Sequence, residues 1–440
     1  MSTTKVLLAG HTGTEKKTVA SKLEKYLPHL RPDWANRIKI VHLEKCIEDS
    51  GGGDTRLFAG VRNSCVRRER WLRGWTLANQ IFRDSGATCQ ILSMHLSFAT
   101  RDNCLCAADL AAIARWKPDI ILMLIDDVYS VKRRIQLNRY TFSLAQLYGW
   151  RTTEQMLADQ VGILTGTFIK DRDEVQNSAV CENLLLAVKT PMLTAIRLIA
   201  NSNSRRCYAS YSISSTRGDL NRKGEINKFR ARIHRTMPTF DPLTIDEKPL
   251  VNYYSLSREP IRYDPNLGPP GHEQEEEHKR WDPVLLDTLN LDKTVEKWML
   301  EPIVLEPTRA KNASGIEETF FPVPIDRSEI EELSLPEEGE GYTTIDDDIE
   351  FRDIRLISQS DLVVCYRPYM DGRITGGVNT EIENANQVGR EVVAFVGKDK
   401  LKAKTLRGHI NKPFTQEDEF WRYLEKIAKQ PAAMPRPAYY

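Results

Sequence analysis

The stretch SDLVVCYRPYMDGRITGGVNTEIENANQVGREVVAFVG, residues 360–397, decides the fold of the C-terminal half. Its segment DLVVCY is apolar at consecutive positions, which is typical of a buried strand in a parallel sheet. A glycine-bearing loop follows, then a helix from about Val378 to Val388 with Glu381 near its first turn, and REVVAFV predicts the next strand. We therefore expect Glu381 at the carboxyl edge of a parallel sheet, where open α/β sheets bind their ligands.

The rest of the chain shows the same alternation of strands and helices. Four apolar segments predict strands within the first 200 residues: KVLLAG, RIKIVHL, TCQILSMHL and PDIILMLID. The polar run NSNSRR, residues 201–206, marks a domain boundary. The pattern predicts an α/β protein of two doubly wound parallel-sheet domains, over residues 1–200 and 206–440, with an irregular, acidic insertion at about 250–345.

The composition fits a globular protein of two or three domains, with 440 residues, 41% hydrophobic and 28% charged, and a net charge of +1. This balance gives no reason to expect nucleic acid or a membrane as a partner. No apolar run reaches the roughly 18–20 residues of a membrane span, and the start MSTTKVLLAG predicts a buried strand, not a signal peptide. The eight cysteines include no C-x-x-C pair, so we expect free thiols in the cytoplasm and no metal site.

The segment GHTGTEKKT, residues 10–18, nearly matches a phosphate-binding loop. It follows a strand and opens a helix, and Gly10, Gly13, Lys16 and Thr18 have the spacing G-x-x-G-x-G-K-x-T of the adenylate kinase type, which the loop resembles. The resemblance implies a nucleotide-kinase-like domain that binds ATP and magnesium, with Lys16 on the phosphates and Thr18 on the magnesium side.

Glu15 is the departure, because such loops have glycine at this position. Two like charges about 4 Å apart in a partly screened site repel by about 4 kcal/mol, which is roughly 1000-fold in affinity. The loop also fits a plain strand-to-helix turn in which the glycines serve only the bend, and both interpretations stay open. His95, at the end of the third strand, is interpreted as a core or rim histidine, with a ligand-binding role as the less favoured alternative.

The C-terminal half, without the insertion, resembles the nucleoside 2-deoxyribosyltransferase family and its N-glycosidase relatives. That family has an aspartate that opens a strand, a glycine-bearing loop, and the helix motif Glu-x-Gly-x-Ala. Here Asp361 opens the strand and Glu381 begins the segment EIENA, in which Glu383 replaces the glycine. The family's first strand begins with a tyrosine and small residues, and the segment CYASYSIS supplies Tyr208 and Ser210.

The resemblance implies a role for each residue. Glu381 is the nucleophile, Tyr208 positions its carboxylate, and Asp361 or Asp371 contacts the sugar or the leaving base. Further substrate contacts are expected after the strands and in the glycine-bearing loop, at Ser210, Asp241, Gly376 and Gly377. Without the family pattern, Glu381 also fits a helix-start carboxylate favoured by the helix dipole, and Asp361 a surface cap.

These patterns predict an enzyme that hydrolyses or transfers at the N-glycosidic bond of a nucleoside, nucleotide or NAD-like molecule. The glycosidic step requires no cofactor, and the N-terminal domain is expected to bind or sense a nucleotide. The family resemblance implies a homo-oligomer, since members complete their sites across subunits. Two alternatives stay open, namely a nucleotide or nucleoside kinase that uses the N-terminal domain, and a non-catalytic nucleotide-binding scaffold.

Overall fold

The computed structural model describes most of both domains and little of the insertion. The described residues are 3–52, 61, 63–100, 104–106, 108–137, 141–170, 181–213, 220–245, 247, 261–263, 297–304, 309–311, 317–319, 323–325, 344–370, 373–397 and 409–432. The predicted site residue Asp371 and most of the insertion at 250–345 lie outside them.

The first domain has a five-stranded parallel sheet. Its strands are β1 (Thr4–Ala9), β2 (Ile38–His42), β3 (Cys89–Met94), β6 (Ile120–Ile125) and β7 (Glu182–Ala187). Their order across the sheet is β2-β3-β1-β6-β7, and every neighbouring pair is parallel. A short antiparallel hairpin of β4 (Ser97–Ala99) and β5 (Cys104–Cys106) follows β3.

Seven helices connect or flank these strands among the described residues. They are α1 (Lys16–Leu30), α2 (Leu43–Ile47), α3 (Ser64–Ser85), α4 (Leu110–Trp116), α5 (Val128–Leu137), α6 (Leu144–Lys170) and α7 (Met192–Ala200). In α1 the residues Val19, Leu23 and Leu27 are buried at helical spacing, as the sequence pattern predicts. The side chain of Asn63 caps α3 by accepting from two backbone N–H groups.

The second domain has its own five-stranded parallel sheet. Its strands are β8 (Cys207–Ser210), β9 (Thr239–Phe240), β14 (Leu362–Tyr366), β17 (Glu391–Phe395) and β18 (Lys412–Phe414). The order is β9-β8-β14-β17-β18 and all pairs are parallel. Numbered by their sequence within this sheet, the strands run 2-1-3-4-5, the flavodoxin-like order.

The helices of this domain include α8 (Leu220–Thr236), α10 (Thr344–Ser358), α11 (Gly376–Gln387) and α12 (Glu417–Ala428). Short elements describe parts of the insertion and of the loop before α11: β10 (Ile261–Tyr263), α9 (Lys297–Leu300), β11 (Arg309–Lys311), β12 (Glu317–Thr319), β13 (Val323–Ile325), β15 (Tyr369–Met370) and β16 (Arg373–Ile374). The strand predicted from TFDPLTIDE ends after Phe240, because Pro242 begins a 3-10 turn there.

The two sheets share one buried apolar core. A single cluster contains Val6 and Leu122 of the first sheet together with Val363 and Ala394 of the second. Polar contacts also cross, since Gln359 exchanges two hydrogen bonds with the backbone of Leu185. The predicted class, α/β with two parallel-sheet domains flanked by helices, is confirmed. Within the described chain, no helix is both long and apolar enough to cross a membrane.

Candidate active site

Glu381 lies on the buried face of α11. The buried residues of this helix are Val378, Glu381, Ile382 and Ala385, which form one stripe at helical spacing. Glu381 therefore faces the sheet and is only 9% exposed. It is the sixth residue of a helix whose first turn contains no acidic residue, so the interpretation as a helix-start carboxylate stabilised by the dipole is wrong.

Two hydroxyl groups hold the Glu381 carboxylate. Tyr208 Oη donates to Oε1 at 2.8 Å, and Ser210 Oγ donates to Oε2 at 2.5 Å. Both donors belong to β8, two residues apart, so strand alternation puts them on the same face of the sheet. Each carboxylate oxygen thus has a fixed partner. Tyr208 contacts Glu381 as expected, whereas Ser210, expected to contact the substrate, also donates to Glu381.

This cluster lies at the topological switch point of the second sheet. Strands β8 and β14 are neighbours, with Ser210 opposite Cys365, and the next strands, β9 after β8 and β17 after β14, lie toward opposite edges of the sheet. In sheets of this order the crevice outside the carboxyl ends of these two strands is the usual ligand site. The topology therefore places the Glu381 carboxylate where a ligand is expected.

The surroundings of Glu381 oppose its charge. Burial, followed by the negative charge of Asp353, raises the pKa of this carboxyl to about 8, although the hydrogen bonds from Ser210 and Tyr208 lower it in part. Burial and the same aspartate also raise the pKa of the Tyr208 hydroxyl well above its ordinary value. A buried carboxyl with so perturbed a pKa, at the carboxyl end of a parallel strand, is a candidate functional group.

Asp353 is a residue that the sequence analysis missed. Asp353 lies on α10, and its negative charge raises the pKa of Glu381. Its Oδ1 accepts hydrogen bonds from Nε and Nη2 of Arg352. The segment IEFRDIRL predicts regular structure, but it carries no motif that singles out one aspartate. Only the packing of α10 beside α11 shows that this carboxylate belongs to the site.

The prediction that Asp361 contacts the substrate is contradicted by its position. Asp361 immediately precedes β14, and its Oδ2 accepts from the backbone N–H of Arg206, just before β8. Both lie at the amino ends of their strands, whereas Ser210 and Glu381 meet at the carboxyl end. Since a strand rises by about 3.3 Å per residue, a five-residue strand separates Asp361 from the site by its whole length.

Asp241 does follow β9, but it belongs to a buried polar network and not to an open pocket. It is 1% exposed, and Arg230 Nε lies 2.6 Å from its Oδ2. The Tyr211 hydroxyl and the backbone N–H of Leu243 donate to Oδ1, and His234 Nε2 lies 3.5 Å from Oδ2. Both oxygens have two partners each, so Asp241 is part of a structural network, and its charge also raises the pKa of Glu381. The predicted substrate contact of Asp241 stays a prediction.

Gly376 and Gly377 are exposed at the start of α11. A Cβ atom added at either position would meet no described atom within 4 Å, and neither has a positive φ. Protein packing therefore does not explain these glycines.

The N-terminal loop is closed on its own lysine. Lys16 is buried, and its Nζ donates to the carbonyls of Gly10 and His11. Burial lowers the pKa of Lys16, whereas the carboxylates of Glu44, Glu154 and Glu15 raise it. Three carboxylates thus surround the cation on which the phosphate-loop interpretation depends.

The loop backbone has the required bends. Glu15 adopts the left-handed conformation, with φ 54°, at the position that the family fills with glycine. Gly10 has φ 151°, and a Cβ there would lie 2.9 Å from the Leu124 carbonyl of β6, so close packing requires this glycine. Thr18 is exposed on α1. Arg134 fills the space beside the loop, because it donates to the Gly13 carbonyl and to Asp126.

His95 is neither fully buried nor at the open surface. Its two ring nitrogens contact Thr12 of the loop and Glu44 at the start of α2. His95 is therefore a rim histidine with a partner for each nitrogen, and it links two loops through hydrogen bonds.

Among the described residues, no group of three or more histidine, cysteine, aspartate or glutamate side chains is placed to hold a metal ion.

Comparison with known proteins assigns no family to the chain. No protein-family model and no curated protein matches it. Among solved structures, phosphoglycerate kinase from Coxiella burnetii aligns over 97% of this chain and 97% of its own length, at 9% sequence identity and a TM-score of 0.22. A likeness this weak supports no inference about either fold or function, so the functional argument depends on the geometry of the site.

Proposed function

We propose that the C-terminal domain breaks the N-glycosidic bond of a nucleoside, a nucleotide or an NAD-like molecule, by hydrolysis or by transfer. The observation that carries the proposal is the Glu381 carboxylate, held at the switch point of the sheet by Tyr208 and Ser210. Neutral hydroxyl donors orient a carboxylate without adding a positive charge that would compete with a cationic sugar.

The proposed reaction begins with attack of a Glu381 oxygen on the anomeric carbon. A carbon–oxygen bond forms as the carbon–nitrogen bond breaks, and the leaving base takes the electron pair and a proton from solvent water. Water, or a second base in a transfer, then attacks the same carbon and releases the carboxylate. Positive charge builds on the sugar in both steps, and a buried carboxylate stabilises that charge more strongly than an exposed one.

The raised pKa of Glu381 gives this mechanism a defined pH dependence. With a pKa of about 8, the carboxyl is mostly protonated at neutral pH. The nucleophile is the ionised form, so the rate of base release should rise with pH through this value. If Glu381 served as a proton donor instead, the rate would fall over the same range.

The glycines at the start of α11 support the same site. Gly376 and Gly377 have open space where side chains would be, and their N–H groups belong to the first turn of a helix. A substrate that approaches the backbone there, with an anionic or hydroxyl group near the helix start, accounts for two residues that packing leaves unexplained. We place this activity in the cytoplasm, because the cysteine pattern predicts free thiols, and in a homo-oligomer, which the family resemblance implies.

A phosphotransferase in the N-terminal domain is less well supported. Lys16 is bound to its own loop and surrounded by carboxylates, and Thr18 is exposed. A triphosphate would have to displace the lysine and overcome the charge of Glu15 and its neighbours.

The experiment is a panel of nucleosides, nucleotides and NAD, with free base measured by chromatography. We expect base release from at least one of them, lost in Glu381→Gln and retained in Lys16→Ala. Glu383→Gln is the matched control, because Glu383 lies on the exposed side of the same helix and accepts a hydrogen bond from nearby Asn379. Base release that survives Glu381→Gln, or phosphate transfer that is lost in Lys16→Ala, would refute the proposal.

A further inference from the structure

Three loops of the first domain bring together a hydroxyl, an imidazole and a carboxylate. Thr12 follows β1, Glu44 follows β2, and His95 follows β3. These strands are adjacent and parallel in the order β2-β3-β1, so their carboxyl ends lie side by side. The sheet topology, and not any sequence motif, makes neighbours of residues that are 32 to 83 positions apart.

The distances define a hydrogen-bonded chain. His95 Nδ1 lies 2.7 Å from Glu44 Oε1, and the backbone N–H of His95 donates to the same oxygen at 2.7 Å. His95 Nε2 lies 3.1 Å from Thr12 Oγ1. With Nδ1–H donating to the carboxylate, Nε2 is left as the acceptor of the Thr12 hydroxyl proton. This is the arrangement of nucleophile, base and orienting acid that activates a hydroxyl.

The hydrogen-bonded residues Thr12, His95 and Glu44 hold each other in place and remain accessible to solvent. The side chains of His95 and Glu44 are 15% and 18% exposed. Burial opposes the charge of Glu44, yet its hydrogen bond with His95 is the first of several effects that lower its pKa to about 2. Glu44 is therefore ionised at neutral pH and orients the imidazole in the tautomer that accepts from Thr12.

The local charge decides which kind of substrate fits. Glu15, Glu44 and Glu154 all act on Lys16, and Lys16 is itself buried against loop carbonyls. A polyanion such as a triphosphate would meet several negative charges and one engaged cation, whereas a neutral carbonyl compound would not be repelled. The first-turn N–H groups of α1, which begins four residues after Thr12, lack intrahelical acceptors and are candidate donors for a developing oxyanion.

We propose that Thr12 is the nucleophile of a second catalytic centre, which cleaves neutral carboxylic esters through an acyl-threonine. Thr12 Oγ1 adds to the carbonyl carbon while its proton passes to His95 Nε2. The bond to the leaving alcohol then breaks, and the alcohol takes that proton. Water, giving a proton to the same nitrogen, hydrolyses the acyl-threonine and restores the hydroxyl. Glu44 is a positioning residue in this centre.

The test uses the full chain with p-nitrophenyl acetate and p-nitrophenyl butyrate. We expect release of p-nitrophenolate and, by peptide mass spectrometry, one acyl group on Thr12. The release rate should fall roughly 100-fold in His95→Ala and in Glu44→Gln, and Glu44→Asp should recover part of it. Thr12→Val should abolish the acyl label and Thr12→Ser should retain it. Thr76→Val, at an exposed hydroxyl on α3, controls for surface acylation.

Three results would overturn this proposal. The first is wild-type protein that shows neither acyl label nor ester cleavage above a blank while its circular dichroism shows a folded chain. The second is label or turnover that persists in Thr12→Val. The third is a phosphoryl group on Thr12 after incubation with a nucleoside triphosphate. That result would show that Thr12 accepts phosphoryl groups from a nucleotide and not acyl groups from an ester. The surface variant Glu383→Gln should keep full ester cleavage. Ester cleavage and base release are measured separately, so this proposal and the glycosidase proposal can fail separately.

Discussion

The substitution Glu381→Gln should change how the stability of the protein depends on pH. In the folded protein, burial and the charge of Asp353 raise the pKa of Glu381 from 4.5 to about 8. Between these two values the folded state binds more protons than the unfolded state. Stability contributed by this group is therefore present in full below about pH 4.5 and is lost as the pH rises through 8.

The size of the effect follows from the shift. A pKa difference between 4.5 and about 8 corresponds to at most about 5 kcal/mol of unfolding free energy, reached above pH 8. Glutamine carries no charge, and its amide can still accept from one hydroxyl and donate to the other, so Tyr208 and Ser210 keep partners. We expect the variant to be near or slightly below the wild type in stability at pH 5 and several kcal/mol more stable at pH 9.

The assay is urea unfolding of wild type and variant at unit steps from pH 5 to pH 9, followed by tryptophan fluorescence. The quantity compared is the difference in unfolding free energy between the two proteins at each pH, with Glu383→Gln as the exposed control on the same helix. The control should track the wild type throughout. A difference between wild type and Glu381→Gln that stays constant across the pH range would refute the claim that the folded protein raises the pKa of Glu381.

Four further outcomes are expected. Base release by the wild type should rise with pH to a midpoint near 8, and a rate that falls over that range would exclude Glu381 as the nucleophile. Asp353→Asn should move that midpoint to lower pH, because it removes the leading charge that raises the pKa; an unchanged pH profile would contradict this. Asp241→Asn should lower the free energy of unfolding by about 3–5 kcal/mol, because it leaves the Arg230 guanidinium buried without its carboxylate; a thermal midpoint equal to the wild type would count against the structural role. Glu15→Gly should stabilise the fold by about 1 kcal/mol at most through relief of the left-handed conformation, and calorimetric titration with ATP shows whether the carboxylate alone prevented binding.

Strand and helix patterns in the sequence were sufficient to predict the class of fold. The apolar run at Ile120–Ile125 is buried at all six positions, as a central parallel strand requires. The spacing of Val19, Leu23 and Leu27 gave the buried face of α1. Such patterns are local, since each depends on the period of one helix or strand, and the sequence alone carries them.

The residues of the site needed more than local pattern. Tyr208, Ser210 and Glu381 came from a family resemblance, and the structure brings them into contact. Asp361 came from the same pattern, but strand direction puts it at the other end of β14. A motif gives the order of residues along a chain, whereas the end of the strand at which a side chain lies is a matter of register in the sheet.

What the sequence by itself determined is the set of elements and the presence of a carboxylate on a helix after a parallel strand. Only the tertiary structure decided which charges meet. The charge of Asp353 acts on Glu381, and Glu44 and Thr12 both hydrogen-bond to His95. These interactions join distant segments, and no local period encodes them. The physical reason is that parallel strands bring their carboxyl ends to one edge, so residues far apart in the chain share one environment and set each other's protonation.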